Sequence, residues 1–179
     1  MCKYCIAILM TLLSITNVIA QQKKVVRPFE YELSFGTTYG SDTYVGSRKI
    51  GPAISMEGRY NINNSPYDIG LEIYFGSVIR SYQGDDLSNR IASISLYSDY
   101  NINRGCNVSY FLGAGIGIAS FDVILGDYGD EGSGLVFSPR VGVELHRHIR
   151  ITAYSKMAKE GYNSFGLSIG FVLGGGLKK

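Results

Sequence analysis

The sequence predicts an all-β protein, an eight-stranded antiparallel up-and-down β-barrel that crosses a membrane. Three observations lead to this fold class. Glycine and tyrosine are abundant, at 23 and 14 of the 179 residues, while charged residues make up only 18% and tryptophan is absent. This composition is typical of a barrel and atypical of a helical protein. Apolar residues alternate with small or polar ones along eight segments, and short turns alternate with longer polar loops between those segments.

The last strand, Ser164 to Leu173, shows the alternation most clearly. Apolar residues fill every second position, and serine or glycine fills most of the positions between them. Because successive side chains of a strand point to opposite faces, this strand has one apolar face and one face almost bare of side chains. Such a strand suits a curved wall around a narrow lumen.

Seven earlier segments repeat the pattern and are connected in a regular way. The predicted strands are 29–39, 50–62, 68–80, a fourth that ends at 102, 107–121, 138–145 and 149–157. The predicted short turns are 63–67, 103–106 and 146–148, and the predicted polar loops are 40–48, 81–89, 122–137 and 158–163. Short turns on one rim and longer loops on the other are typical of bacterial outer-membrane barrels, and they put both chain ends on the periplasmic side.

An internal repeat places two tyrosines at equivalent positions. Residues 53–63 align with residues 93–103, and both segments run into similar turns. Tyr60 and Tyr100 therefore fall at the same height on the apolar face, where a membrane barrel carries its aromatic girdle. Ordinary cross-strand aromatic pairs are the alternative interpretation.

Composition also predicts which face meets the lumen. A soluble lipocalin-like barrel would turn its apolar face inward and cover its outside with many charged residues. Here the second face consists of glycine, serine and threonine with a few acids and bases. No apolar row carries a charge at mid-strand, where a lysine or arginine facing lipid costs about 2–4 kcal/mol. The apolar face is therefore predicted to face lipid.

The inward-facing charges form a predicted lumen charge network. Its members are Glu57, Arg59, Glu72, Asp99, Arg140, Glu144 and Arg150. A charge in a dry lumen is costly without a partner, so these groups are expected to pair and to close the lumen. Eight strands leave an interior only wide enough for side chains. A narrow ion path through the same charges is the alternative.

No cofactor or metal site is predicted. The Gly-x-Gly-x-Gly run at 113–117 lacks the helix and the acidic partner of a dinucleotide fingerprint. The acidic residues of the 122–137 loop match no calcium-loop spacing. With a net charge of +2 and no basic cluster, a nucleic-acid partner is not expected.

The first 20 residues have the three parts of a signal peptide. A lysine supplies the positive charge, an apolar core follows, and a small-residue cleavage site ends at Ala20. The mature chain is expected to begin at Gln21, and residues 21–179 are expected to form one outer-membrane barrel domain. Cys106 is then the only cysteine left, so no disulfide framework is expected.

Two resemblances rest on these features. Ser164, Gly166, Ile169 and Phe171 of the last strand resemble the C-terminal signal that the outer-membrane barrel-assembly machinery reads, although the chain continues to Lys179. The eight strands after the signal peptide resemble the small outer-membrane β-barrel family that includes OmpA- and OmpX-type domains. This resemblance implies a location in the cell outer membrane, contact with outer-membrane lipids and with the assembly machinery, and no periplasmic peptidoglycan-binding domain.

The resemblance also implies a structural or surface-interaction role, with an extracellular loop partner that the sequence does not identify. Small barrels of this kind include lipid A deacylases and acyltransferases, which would need a histidine base near a serine at the outer leaflet. The two histidines, His146 and His148, lie on a predicted periplasmic turn, far from that leaflet. The predicted function is therefore a barrel without catalytic activity and with a closed lumen, and an ion-conducting barrel and a lipid-modifying enzyme are its alternatives.

Overall fold

The computed structural model describes residues 26–41, 47–82, 85–125, 128–158 and 162–174. The predicted signal peptide and cleavage site lie outside these ranges. The strands are β1 (Phe29–Gly40), β2 (Ser47–Asn61), β3 (Tyr67–Tyr82), β4 (Asp85–Ile102), β5 (Val108–Leu125), β6 (Tyr128–Leu145), β7 (Ile149–Lys156) and β8 (Ser164–Leu173). Each strand pairs antiparallel with the next, and β8 pairs with β1 to close the barrel. The predicted fold class is confirmed. Among the described residues, no helix is long and apolar enough to cross a membrane.

The apolar side chains of the strands lie on the outer wall. Leu96 and Ile116 are register partners on β4 and β5, and they are 55% and 60% exposed. Ser95 and Tyr97, the sequence neighbours of Leu96, are buried in the interior. The apolar face is thus outside, as predicted, and the lipocalin-like arrangement with an apolar lumen is wrong for these strands.

Strands β3 to β6 are longer than the sequence predicted. The predicted loop at 122–137 is wrong for its described residues, because β5 and β6 extend into it from both sides and remain paired up to Leu125 and Tyr128. Most of the predicted loop at 81–89 is also strand, since β3 and β4 extend into it from both sides. Residues 81–86 are mainly polar, residues 123–125 are three consecutive apolar residues, and residues 126–134 are mainly glycine and acidic residues. None of these segments shows the apolar alternation that reveals a strand. The other predicted boundaries differ by at most a few residues, and those of β8 agree with the structure.

The three short turns lie where the sequence predicted them. Asn64 and Asn103 have φ angles of 58° and 59°, a left-handed conformation that asparagine tolerates. His146 and Arg147, which join β6 to β7, also have positive φ, at 52° and 65°. They are the two central residues of the turn that the hydrogen bond from His148 N to the Leu145 carbonyl closes. A β-turn with positive φ at both central residues favours Asn-Gly, so the sequence of this turn makes it strained.

Glycines on the inner wall make room for large side chains of the neighbouring strand. Gly115 pairs with Tyr97 in the β4–β5 register, and a Cβ at Gly115 would lie 2.7 Å from the Tyr97 ring. Two residues further along each strand, Gly113 pairs with Asp99, and a Cβ at Gly113 would overlap the Asp99 carboxylate. Cβ atoms in real proteins do not approach other atoms this closely. The Gly-x-Gly-x-Gly run therefore supplies space in the lumen, as its position on one strand face predicted.

The upper part of the interior contains a cluster of apolar side chains, and Arg80 and Asn89 are buried on the loop side of this cluster. The buried cluster consists of Tyr74, Ile91, Ala119, Phe121, Val136 and Tyr162. Tyr162 comes from the segment between β7 and β8, and its ring centroid lies 4.6 Å from that of Phe121. We call this cluster the apolar layer. It lies on the loop side of the charged groups described next.

Candidate functional site

The site that the sequence singled out is the lumen below the apolar layer, where charged side chains are buried. Each charge projects inward because it occupies the interior phase of the strand alternation. The buried ionisable residues in this region are Glu30, Glu32, Glu57, Arg59, Asp68, Glu72, Asp99, Arg140, Arg150 and Lys156. We call them the lumen charges.

Arg140 on β6 bridges two carboxylates. Its Nη1 and Nη2 atoms donate to the two carboxylate oxygens of Glu57 at 2.6 and 2.7 Å, and its Nε and Nη2 donate to Asp99 at 2.9 and 2.8 Å. The guanidinium carbon also lies 3.8 Å from the centroid of the Tyr97 ring. In a closed ring of eight strands, β6 and the β2 strand of Glu57 lie on opposite sides. The Arg140–Glu57 pair therefore spans the lumen.

A second pair crosses the lumen closer to the apolar layer. Lys156 Nζ on β7 donates to Glu72 Oε2 on β3 at 2.5 Å and to the Tyr97 hydroxyl at 3.0 Å. The ammonium also lies 4.2 Å from the Tyr74 ring centroid. Strands β3 and β7 are again four apart in the ring. The two cross-lumen pairs thus run along different diameters of the barrel.

Two further arginines complete the connected set. Arg59 donates to Glu32 at 2.6 Å and to Glu30 at 3.2 Å, both on the neighbouring strand β1. Arg150 donates to Asp99 and lies 3.9 Å from Glu32. Glu32 thus contacts two arginines, and Asp99 also contacts two. Such charge-assisted hydrogen bonds are roughly twice as strong as neutral ones.

The structure brings together six of the seven residues that the sequence assigned to the lumen charge network. Glu144 is the seventh, and it is not among the connected ion pairs. Glu144 is half-buried and faces Arg150 in the β6–β7 register, but the Arg150 guanidinium is directed to Asp99. Sequence reasoning missed four members, which are Glu30, Glu32, Asp68 and Lys156. All four occupy inward positions of the alternation, so the same signal was present for them.

A turn residue makes several contacts at the short-turn end of the lumen. Arg104, between β4 and β5, donates hydrogen bonds to the Ser65 carbonyl at 2.9 Å and to the Asn61 side chain. Its guanidinium also lies 3.8 Å from the Asp68 carboxylate. Partial burial lowers the pKa of the Arg104 guanidinium, an effect that the nearby Asp68 carboxylate opposes. Asp68 in turn accepts a 2.7 Å hydrogen bond from Asn101. Arg104 therefore connects two of the short turns.

Little empty space remains among the lumen charges. A cavity of about 20 Å³ lies between residues that include Glu72, Tyr154 and Arg140. A buried water needs at least about 10–15 Å³, so this cavity has room for one or two water molecules. Among the described residues, no group of three or more His, Cys, Asp or Glu is placed to hold a metal ion.

The two predicted girdle tyrosines are on the outer wall next to other aromatic residues. The Tyr60 ring centroid lies 5.3 Å from that of Phe29, and the Tyr100 centroid lies 5.3 Å from that of Tyr67. Both pairs are cross-strand register partners close to the short turns. Phe29 and Tyr67 were not part of the prediction. A role at the membrane interface remains a prediction.

The residues of the predicted assembly signal lie on both faces of the closing strand. Ser164 and Gly166 face inward, whereas Ile169 and Phe171 are exposed on the outer wall. Strand β8 pairs with β7 on one side and β1 on the other. Near its end, His148 Nδ1 lies 3.2 Å from the Val172 carbonyl oxygen. Both histidines lie in the short β6–β7 turn, as predicted.

Comparison with known proteins shows similarity at the level of fold. No protein-family model matches the chain, and no curated protein is significantly similar to it. The structure of Neisserial surface protein A superimposes with a TM-score of 0.64 at 15% identity, covering 83% of this chain and 98% of that one. The N-terminal β-barrel domain of Pseudomonas aeruginosa OprF gives 0.52 at 12% identity, covering 83% and 99%. Ail of Yersinia pestis, in complex with the heparin analogue sucrose octasulfate, gives 0.51 at 16%, covering 84% and 99%. The chain therefore has the fold of small outer-membrane barrels.

Proposed function

We propose that this chain is an integral outer-membrane barrel with a structural or surface-interaction role, whose lumen is closed to ions. Two observations support the location. The fold is that of small outer-membrane barrels, and the outer wall carries a continuous belt of exposed apolar side chains that lipid would cover. Outer-membrane lipids are then the surroundings of the wall, and the barrel-assembly machinery is the proposed partner in insertion through the closing strand.

The observation that carries the proposal of a closed lumen is the pairing of charges across the barrel. Arg140 with Glu57, and Lys156 with Glu72, each join strands on opposite sides of the ring. An ion entering this region would have to separate buried ion pairs, and a buried charge without its partner is strongly unfavourable. The apolar layer lies above the charges, and within it only the hydroxyls of Tyr74 and Tyr162 could replace part of an ion's hydration shell.

Lipid chemistry is not part of this proposal. An acyl-transfer site needs a nucleophile and a base within hydrogen-bond reach of each other at the membrane surface where the lipid lies. His146 and His148 lie beside the periplasmic turn, and the His148 ring contacts a backbone carbonyl of β8. The geometry of the two histidines therefore supports a role without catalysis.

Single-channel recording in planar bilayers tests the closed lumen. We expect the wild type to be silent, because both cross-lumen pairs are in place. Arg140→Ala removes one of the two pairs, and we expect it to produce rare openings at most while Lys156 still holds Glu72. Discrete conductance steps from the wild type, altered in size or selectivity by Glu72→Gln, would refute the closed lumen and support the ion-path alternative.

A further inference from the structure

A groove crosses the outer wall where the apolar belt ends. The strand registers align one row of outward residues across β3 to β6, and these are Phe75, Ala92, Ser120 and Ser133. The row changes from a large aromatic residue to small residues at Ala92. The row below it continues with Ile73, Ile94, Ile118 and Leu135. A depression is therefore built into the wall above a ledge of branched side chains.

The depression is large enough for a ligand. Two adjoining parts have volumes of about 610 and 530 Å³ and share Phe75, Ala92 and Ser120 in their lining. Ligand sites in proteins usually have volumes of about 300–1,000 Å³. The lining of the larger part is mainly apolar, with isoleucine and leucine below and serine hydroxyls along its upper side. An acyl chain matches this surface.

Charged residues of both signs lie in the next row above the groove. Ser77, Arg90, Asp122 and Glu131 are register partners on β3, β4, β5 and β6. Neighbouring strands are about 4.8 Å apart, so a cation stands one strand from the first carboxylate. Arg90 is exposed and also lines the groove. A ligand in the groove would therefore meet a cation at Arg90 and carboxylates at Asp122 and Glu131.

We propose that the groove binds a zwitterionic phospholipid, with its acyl chain along Ala92, its phosphate at Arg90 and a primary ammonium at Asp122. The inference rests on the proposed membrane location of the barrel. Charge complementarity selects this occupant. Arg90 alone would accept any phosphate, but a purely anionic headgroup would also meet the carboxylates of Asp122 and Glu131. A headgroup with both charges satisfies the row.

A second copy of the chain fits the groove less well. An isologous contact sets the same patch of each copy against the other. Here that contact would set one concave surface against another, and the small side chains around Ala92 would leave the space unfilled. The lipid is therefore the occupant to which the proposal commits.

Native mass spectrometry of the mature protein in detergent tests the site, with phosphatidylethanolamine and phosphatidylglycerol of identical acyl chains as probes. We expect the wild type to retain the ethanolamine lipid at an about tenfold lower concentration, the difference that one charge-assisted contact provides. Asp122→Asn should reduce this preference, and Arg90→Gln should weaken retention of both lipids.

Groove filling provides a matched pair of variants. Ala92→Leu should lower retention of the ethanolamine lipid several-fold, because its side chain occupies the groove. Ala114→Leu makes the same change on the outer wall of β5, two strand positions below Ile116 and outside the groove lining, and it should leave retention unchanged. Equal retention of the two lipids by the wild type, equal behaviour of the two leucine variants, or a dimer in place of bound lipid would each overturn the proposal.

The same samples separate this proposal from the proposed function. A chain that stays monomeric in water without detergent and binds neither lipid would contradict the membrane location itself. A detergent-dependent, silent barrel without lipid preference would contradict only the groove proposal.

Discussion

Removing Arg140 is the change with the largest expected consequence for stability. The guanidinium makes two hydrogen bonds to Glu57 and two to Asp99. In Arg140→Met, Asp99 retains its hydrogen bond from Arg150, whereas the nearest cation to Glu57 is Arg59 at 3.9 Å. Breaking a buried ion pair by removing one partner costs about 3–5 kcal/mol. We expect a loss in this range, carried mainly by the Glu57 carboxylate.

A double substitution separates the ion pair from the space it fills. Arg140→Met together with Glu57→Met removes both charges and fills the lumen with apolar groups of similar length, a replacement that is often neutral or stabilising. We therefore expect the double variant to be more stable than Arg140→Met by at least about 2 kcal/mol.

The measurement is urea unfolding in phospholipid vesicles, followed by circular dichroism. Arg27→Met is the control, because it removes an exposed arginine that lies just before β1 and should change the free energy of unfolding by less than about 0.5 kcal/mol. The reasoning fails if Arg140→Met is as stable as the control, or if the single and double substitutions are equally destabilised.

Three further predictions concern the wall and its turns. Leu96→Arg should lower the free energy of unfolding in bilayers by about 2–4 kcal/mol, and a variant that inserts and unfolds like the wild type would show that this face does not meet lipid. Gly113→Ala should destabilise the barrel, because its Cβ would overlap the Asp99 carboxylate, whereas Gly132→Ala has nothing within 4 Å and should be nearly neutral; the idea is wrong if urea midpoints of the two variants coincide. His146→Gly should raise stability by about 0.5–1 kcal/mol, since relief of a left-handed φ outweighs the added freedom of the unfolded chain, and a lower urea midpoint would contradict the strained turn.

The sequence predicted the faces of the strands but not the full length of the walls. Alternation identifies which side chains point outward when one face is apolar, and Leu96 and Ile116 are where it placed them. Above the apolar belt, β5 ends in three consecutive apolar residues, 123–125, and β6 begins with glycines and acidic residues. This pattern no longer separates a paired hairpin from a loop. What holds that hairpin together is backbone pairing, which leaves no periodic trace in composition.

The inward charges were predictable individually, but their partners were not. Arg140 and Glu57 are 83 positions apart in the chain, and their contact depends on closure of the ring and on the stagger of the strands. A strand pattern contains neither quantity, because alternation fixes the face of a residue and not its height on the wall. This is also why Lys156 could be placed inside without being assigned to Glu72.

The pairing of lumen glycines with large neighbours has a consequence for how this barrel can change during evolution. At each such position the wall has a fixed volume that two adjacent strands divide between them, as Gly115 and Tyr97 do. A larger residue at Gly115 is compatible with the fold only after Tyr97 has been replaced by a smaller one. A single substitution at either position therefore gives a variant that is overpacked or contains a cavity. Related barrels should therefore exchange large and small residues between register partners as coupled pairs, and the interior can be redesigned only two strands at a time.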